Sequence, residues 1–290
     1  MSTAYQQLIN NLDYLKLNEM KLHLNEIIDN ANQGNVSLVD SLIKLTNYEV
    51  DHKKTNAVNA MVKTGAFPHM KTIEDFDFDF QPTINKVEIE DLASLRFVTN
   101  NENIVFLGNS GTGKTHLATS IGIIAAKNRI STYFIKCNDL IAQLHKARLE
   151  NRLDARIKNY CKYKVLIIDE IGYLPIDEED AKLFFQLIDK RYETKSTIFT
   201  TNISFNNWDE VFKDTMIASA ILDRVLHHAH VVTITGKSYR LKDYMKDDDW
   251  FVHIYIIVFV HFCVDISIQR HIFNSLAIWD GDFHFSFQSL

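Results

Sequence analysis

An apolar strand that runs straight into Gly-x-x-x-x-Gly-Lys-Thr leaves a chain few folds to choose from, and residues 103–115 have this form. Asn103-Ile104-Val105-Phe106-Leu107 leads into Gly108, Asn109, Ser110, Gly111, Thr112, Gly113, Lys114 and Thr115. Phosphate oxygens need several donors at short range, and a glycine-bearing loop lets successive backbone N–H groups converge on them without side chains in the way. The residues from His116 to Lys127 read as a helix, whose N-terminus adds partial positive charge at the same place. Lys114 is placed to reach the β- and γ-phosphates of a nucleoside triphosphate, and the Thr115 hydroxyl to join a Mg²⁺ shell.

A second run narrows the choice. Val165-Leu166-Ile167-Ile168 is β-branched and apolar and ends in Asp169-Glu170. A parallel strand covered on both faces reads as a continuous hydrophobic run, and its C-terminal edge faces the ligand crevice. Asp169 is therefore expected to hold Mg²⁺, and Glu170 to orient and deprotonate an attacking water, which makes the site hydrolytic.

Around these motifs, short apolar runs near 103–107, 132–135, 164–168, 197–201 and 230–235 alternate with longer amphipathic stretches. That alternation predicts an α/β domain with a five-stranded parallel sheet flanked by helices. Upstream, Leu15, Met20, Leu22, Leu24, Ile27 and Ile28, then Val39, Leu42, Ile43, Leu45 and Val50, recur at helical spacing. The segment Phe67 to Phe80 is acidic, aromatic and broken by Pro68, and reads as a linker that docks its phenylalanines. The expected division is a helical N-terminal domain at 1–72, the P-loop domain at 73–247 and a hydrophobic tail at 248–290.

Composition sets the compartment and excludes some classes. The chain has 290 residues, 46% of them hydrophobic, which is ample for a large core. Its three cysteines form no C-x-x-C pair, so neither a disulfide framework nor a zinc site is indicated and reducing cytoplasm fits best. Residues 1–33 show no apolar core followed by a small-residue cleavage site, so no secretory signal is read there.

Two further residues complete a candidate site. Asn202 follows the run Ser196 to Thr201, where it either caps the strand or hydrogen-bonds the γ-phosphate or lytic water. Arg224 sits in Ala218 to His228, a helix on which an arginine finger and a surface salt bridge compete as readings. His227 and His228 read as exposed helix residues, because no carboxylate or third ligand is suitably spaced in sequence.

The joint pattern of Gly108 to Thr115 with His116-Leu117-Ala118, Ile167 to Pro175, Thr200-Thr201-Asn202, Asp223-Arg224 with His227-His228, and Gly236-Lys237-Ser238-Tyr239-Arg240 resembles the IstB family, the ATP-binding helpers of insertion-sequence transposases. The resemblance spans roughly residues 10 to 245. It implies an AAA+ ATPase near the loaders of the replicative helicase, with ATP and Mg²⁺ bound at interfaces of a homo-oligomer. By motif it assigns Gly108 to Thr115 and Asp169 to nucleotide and metal, Glu170 to hydrolysis, Asn202 to a sensor and Arg224 to a finger in trans. Arg240 lies where a second sensor would stand in relatives with a full lid. The implied partners are DNA and a transposase; a helicase loader is the runner-up, and a small-molecule P-loop kinase would share the loop without needing the other residues.

DNA binding demands a basic surface, which a net charge of −6 does not provide globally. Residues 1–72 are balanced, with seven lysines against seven acids, whereas 127–164 carry ten basic residues against three acids. Lys146, Arg148, Arg152, Arg156 and Lys158 are expected on one or two consecutive helices, either as a solvated face or as a strip that meets DNA backbone without reading sequence.

After Asp249 the composition changes: Trp250 to Val264 is nearly unbroken apolar, and no Lys or Glu occurs from Trp250 to Leu290. Fifteen residues with two histidines fall short of the ~20 that a transmembrane helix needs, so no membrane association is expected. A β-like extension of the core is an alternative. The favoured reading is a tail foreign to the fold, aggregation-prone if exposed.

Overall fold

All five apolar runs form strands, and all five pair in parallel. The computed structural model describes residues 3–34 and 36–242. Residues through Lys237 belong to one compact unit and Ser238 begins a second, of which Ser238–Lys242 is described, including a 3₁₀ turn at Tyr239–Leu241. The expectations for the tail at 248–290 lie outside the described residues.

The chain opens with α1 (Thr3–Tyr14), α2 (Asn18–Asn32) and α3 (Leu38–Thr64). Ser37 caps α3 by accepting the Asp40 amide at 3.1 Å. The N-cap position of α2 is Leu17, which has no side-chain acceptor, so the buried Glu49 of α3 serves instead, accepting the amides of Glu19 at 2.9 Å and Met20 at 3.4 Å. Leu12, Leu24, Ile27 and Leu45 close a small apolar cluster among the three helices.

The aromatic segment after α3 docks as expected. Phe67, Phe76 and Phe78 pack with Ile73 and Ile84 against one face of the sheet. Short helices α4 (Lys86–Ala93) and α5 (Arg96–Thr99) then lead into β1 (Asn103–Gly108), followed by α6 (Lys114–Lys127), β2 (Thr132–Lys136), α7 (Cys137–Leu149), α8 (Leu153–Cys161), β3 (Val165–Ile171), α9 (Glu178–Arg191), β4 (Ser196–Thr201), α10 (Trp208–Phe212), α11 (Thr215–Leu226) and β5 (Ala229–Ile234).

The strands lie in the order β2-β3-β4-β1-β5. Successive strand residues face opposite sides, so Val105, Leu166, Ile168 and Phe199 join one core with α7, α9 and α11, while Ile104, Phe106, Ile167 and Ile198 join the other with α4 and α6. This order sets β4 between the loop-bearing β1 and the acid-bearing β3, bringing three strand tips to one crevice. At the edge, the outward Phe134 amide of β2 donates to the Gly65 carbonyl at 2.8 Å.

One buried charge braces this arrangement. Arg191, at the end of α9 and 1% exposed, donates to the carbonyls of Tyr160 (2.9 Å), Tyr163 (3.0 Å) and Ser196 (2.6 Å) and to the Thr197 hydroxyl (3.1 Å). Burial lowers its pKa to about 10, which leaves it charged near neutrality. It ties the end of α8 and the start of β4 to α9.

Candidate nucleotide and hydrolysis site

The loop between β1 and α6 is shaped by contacts that exclude side chains at two positions. A Cβ at Gly108 would run into the Ile234 carbonyl of β5, and one at Gly113, where φ is +98°, would meet the Phe76 ring. Phe76 in turn packs edge-on to His116 at 5.4 Å, and His116 Nε2 is 2.7 Å from the Thr72 carbonyl. Burial holds the His116 pKa below its ordinary value. Ser120 donates to the Lys71 carbonyl at 3.0 Å, so the linker grips the first two turns of α6. Lys114 folds onto the loop, donating to the carbonyls of Gly108 and Asn109 at 2.7 Å each.

Opposite the loop stands Asp169, 1% exposed, whose Oδ1 accepts from the Thr115 hydroxyl at 2.9 Å and the Thr200 hydroxyl at 2.5 Å. Burial raises its pKa, against the pull of those two donors. A serine- or threonine-type hydroxyl and a carboxylate oxygen side by side form a hard donor pair that suits Mg²⁺. The expected metal ligands are therefore in contact.

The pairing of β3 with β4 is in register as far as Ile168↔Phe199 and resumes at Ile171↔Thr201, so Asp169 and Glu170 face a single residue, Thr200. This is a bulge, and Glu170 within it takes φ +62°. A non-glycine residue in the left-handed region stores strain of a kind that clusters at functional sites. Thr200 closes the bulge, accepting the Glu170 amide at 2.9 Å while donating to Asp169. The Glu170 carboxylate lies 2.9 Å from Lys136 at the tip of β2, and that hydrogen bond raises the lysine pKa. Asn202 is exposed immediately beyond β4.

Thr200 and Lys136 were not singled out from sequence. Thr200 stood in view beside Asn202, and only the bulge reveals that it touches both acids. Lys136 acquires its position from the β2 register, in which it pairs with Asp169.

Arg224 lies away from these contacts on α11, where it donates to Asp189 of α9 at 2.7 Å and sits 4.7 Å from the Phe185 ring centre. Lys146 and Arg148 fall on α7 and Arg156 and Lys158 on α8, whereas Arg152 lies in the turn between the two helices; Arg148 is paired to Glu179 and Arg152 to Glu150. One expectation is corrected. His227 and His228 are exposed, but they lie in the turn beyond α11 rather than on the helix, and the turn after α9 brings Glu193 to 3.8 Å from both rings.

The family model for IstB-like ATP binding protein matches residues 10–247. The chain belongs to the IstB-like ATP-binding family. It is 62% identical over 249 residues to a Bacillus thuringiensis subsp. berliner protein named as the ATP-binding protein of insertion sequence IS232, a match covering 86% of this chain and 100% of that one. It is 40% identical over 235 residues to the Pseudomonas aeruginosa protein so named for insertion sequence IS21, covering 81% and 89%. Among solved structures, AMPPCP-bound DnaA from Aquifex aeolicus matches with a TM-score of 0.51 at 20% identity, over 62% of this chain and 56% of that one. That likeness agrees with the strand order and loop in giving the IstB-like chain an AAA+ P-loop fold. No helix among the described residues is long and apolar enough to cross a membrane.

Proposed function

We propose that this IstB-like chain is an ATP-dependent DNA-binding transposition helper that assembles on DNA in the cytoplasm, recruits or activates a transposase, and hydrolyses ATP at subunit interfaces. The observation that carries the reading is the contact of Thr115 with Asp169 beside a bulged Glu170, directly across from the phosphate loop. The names of its relatives, each tied to an insertion sequence, favour transposition over helicase loading.

In this reading the amides of Gly108 to Thr115 bind the triphosphate, and Lys114 exchanges its loop carbonyls for phosphate oxygens. Thr115 and Asp169 would hold Mg²⁺, which supplies charge neutralisation at the phosphates when bound. Glu170 accepts a proton from the attacking water, with Thr200 fixing its backbone and Lys136 engaging its carboxylate. Asn202 orients the water or γ-phosphate from the neighbouring tip. Arg224 acts on the site of an adjoining subunit, leaving Asp189 to do so. Lys146, Arg148, Arg152, Arg156 and Lys158 contact DNA phosphates.

ATP turnover with and without duplex DNA tests the reading. Glu170→Gln should keep ATP and lose about 10²–10⁴-fold in hydrolysis, and Arg224→Ala should lose the DNA-stimulated rate. Arg152→Glu with Arg156→Glu should weaken DNA binding and flatten its salt dependence. Normal DNA-stimulated hydrolysis by Arg224→Ala would remove the finger, and co-purification with a hexameric helicase instead of a transposase would overturn the partner.

A further inference from the structure

Three potential ligand atoms converge on the surface at the end of α11. Glu193, His227 and His228 each offer one, all within 4.8 Å of one another. The Glu193 carboxylate is 3.8 Å from His227 Nδ1 and 3.8 Å from His228 Nε2. That separation is too long for a hydrogen bond. It is close to the edge of a tetrahedron with metal bonds of ~2.0–2.1 Å, about 3.3 Å between donors. Side chains half exposed, as these are, can close the remaining gap by small torsional changes.

We infer that Glu193, His227 and His228 form a binding site for a borderline divalent transition ion, separate from the Thr115–Asp169 pair. Two imidazoles and one carboxylate are a donor set that selects Zn²⁺ or its transition-metal neighbours over Mg²⁺, whereas the hydroxyl and carboxylate at the phosphate loop select Mg²⁺. The C-terminal end of a twelve-residue helix, α11, lies directly beneath the two histidines and favours a cation there. Arg224, one turn before His228 in the chain, is paired with Asp189 and therefore opposes the ion less. His227 Nδ1 is also 2.5 Å from the Tyr192 hydroxyl, which holds the ring at the mouth of the site and yields when the metal arrives. Bound metal would clip the turn after α9 to the end of α11, two segments held there by packing and by the Arg224–Asp189 pair.

The inference does not depend on the ATPase reading, since it concerns different residues and is read out by metal binding alone. Untagged full-length protein is titrated with Zn²⁺ in excess Mg²⁺, against a competing chromogenic chelator. Wild type should take up one Zn²⁺ per chain at this site. Glu193→Gln and His228→Ala should each weaken that uptake about tenfold or more, by the scale on which losing support at a metal site acts. His145→Ala, which alters the distant pair with Asp180, should bind as wild type. Zn²⁺ should raise the melting temperature of wild type and not of the two site variants, whose melting in EDTA should match wild type because all three residues are exposed. Equal Zn²⁺ uptake by wild type and both site variants, or none by wild type, overturns the site.

Discussion

The central strands and the helical arm bury apolar residues in different ways. Ile104, Val105, Phe106 and Val165 to Ile168 are fully enclosed, whereas α1–α3 close over Leu12, Leu24, Ile27 and Leu45 and leave Leu22, Leu38 and Val39 more than 60% exposed. A core packed from both sides holds its strand tips in place to the tenths of an ångström that the contacts among Thr115, Asp169 and Thr200 require. A thin cluster supported by one capping glutamate permits local opening. Precision at the site and adaptability in the arm thus follow from how much surface each region encloses.

The sharpest way to break the contrast is at Arg191. Arg191→Met leaves its three carbonyl partners without their donor and should cost about 3–5 kcal/mol, seen as one large, cooperative fall in the melting temperature. A small or locally confined loss would mean that the strands are less coupled than their burial implies. Leu45→Ala should cost about 2–4 kcal/mol, but mainly as faster amide exchange in α1–α3, with β1, β3 and β4 still protected. Equal loss of protection in the strands would show that arm and sheet open as one body.

Smaller effects sharpen the site itself. Thr200→Val removes the hydroxyl shared by Glu170 and Asp169, and should cost about 1–3 kcal/mol along with a fall in turnover at saturating ATP. Wild-type turnover would show that the hydroxyl positions neither acid. The mildest change concerns Asp169, whose folded pKa is raised by burial. Between the ordinary aspartate value of about 3.9 and that raised value, the folded state holds more protons than the unfolded one, so this group's contribution falls as pH rises through the window. In Mg²⁺-free, nucleotide-free protein, Asp169→Asn should therefore gain on wild type in melting temperature as pH rises through that window. A constant difference would mean that the hydroxyl donors offset burial completely.

The regions differ equally in what their sequences disclose. Continuous apolar runs and a glycine loop are local signals, so β1, β3, Lys114, Thr115 and Asp169 could be placed from composition along the chain. The linker phenylalanines were legible too, because aromatics amid acids need somewhere to bury. Thr200 acquires its role from a bulge, Lys136 from the register of an edge strand and Glu49 from a neighbouring helix without its own cap; each depends on a partner distant in sequence. Glu193 illustrates the same limit, since its turn is 34 positions from His227 in the chain and 3.8 Å away in space. Spacing arguments detect motifs carried on one element, and these contacts join two.

The hydrogen bond from the Phe134 amide to the Gly65 carbonyl has a consequence for solubility. An outer strand with vacant amides invites pairing with any extended segment nearby, and here the chain supplies its own stopper where α3 ends. Removing residues 1–66 would therefore do more than delete three helices. It would unmask part of β2 as a seam for foreign strands, turning a chaperoned edge into a nucleus for aggregation.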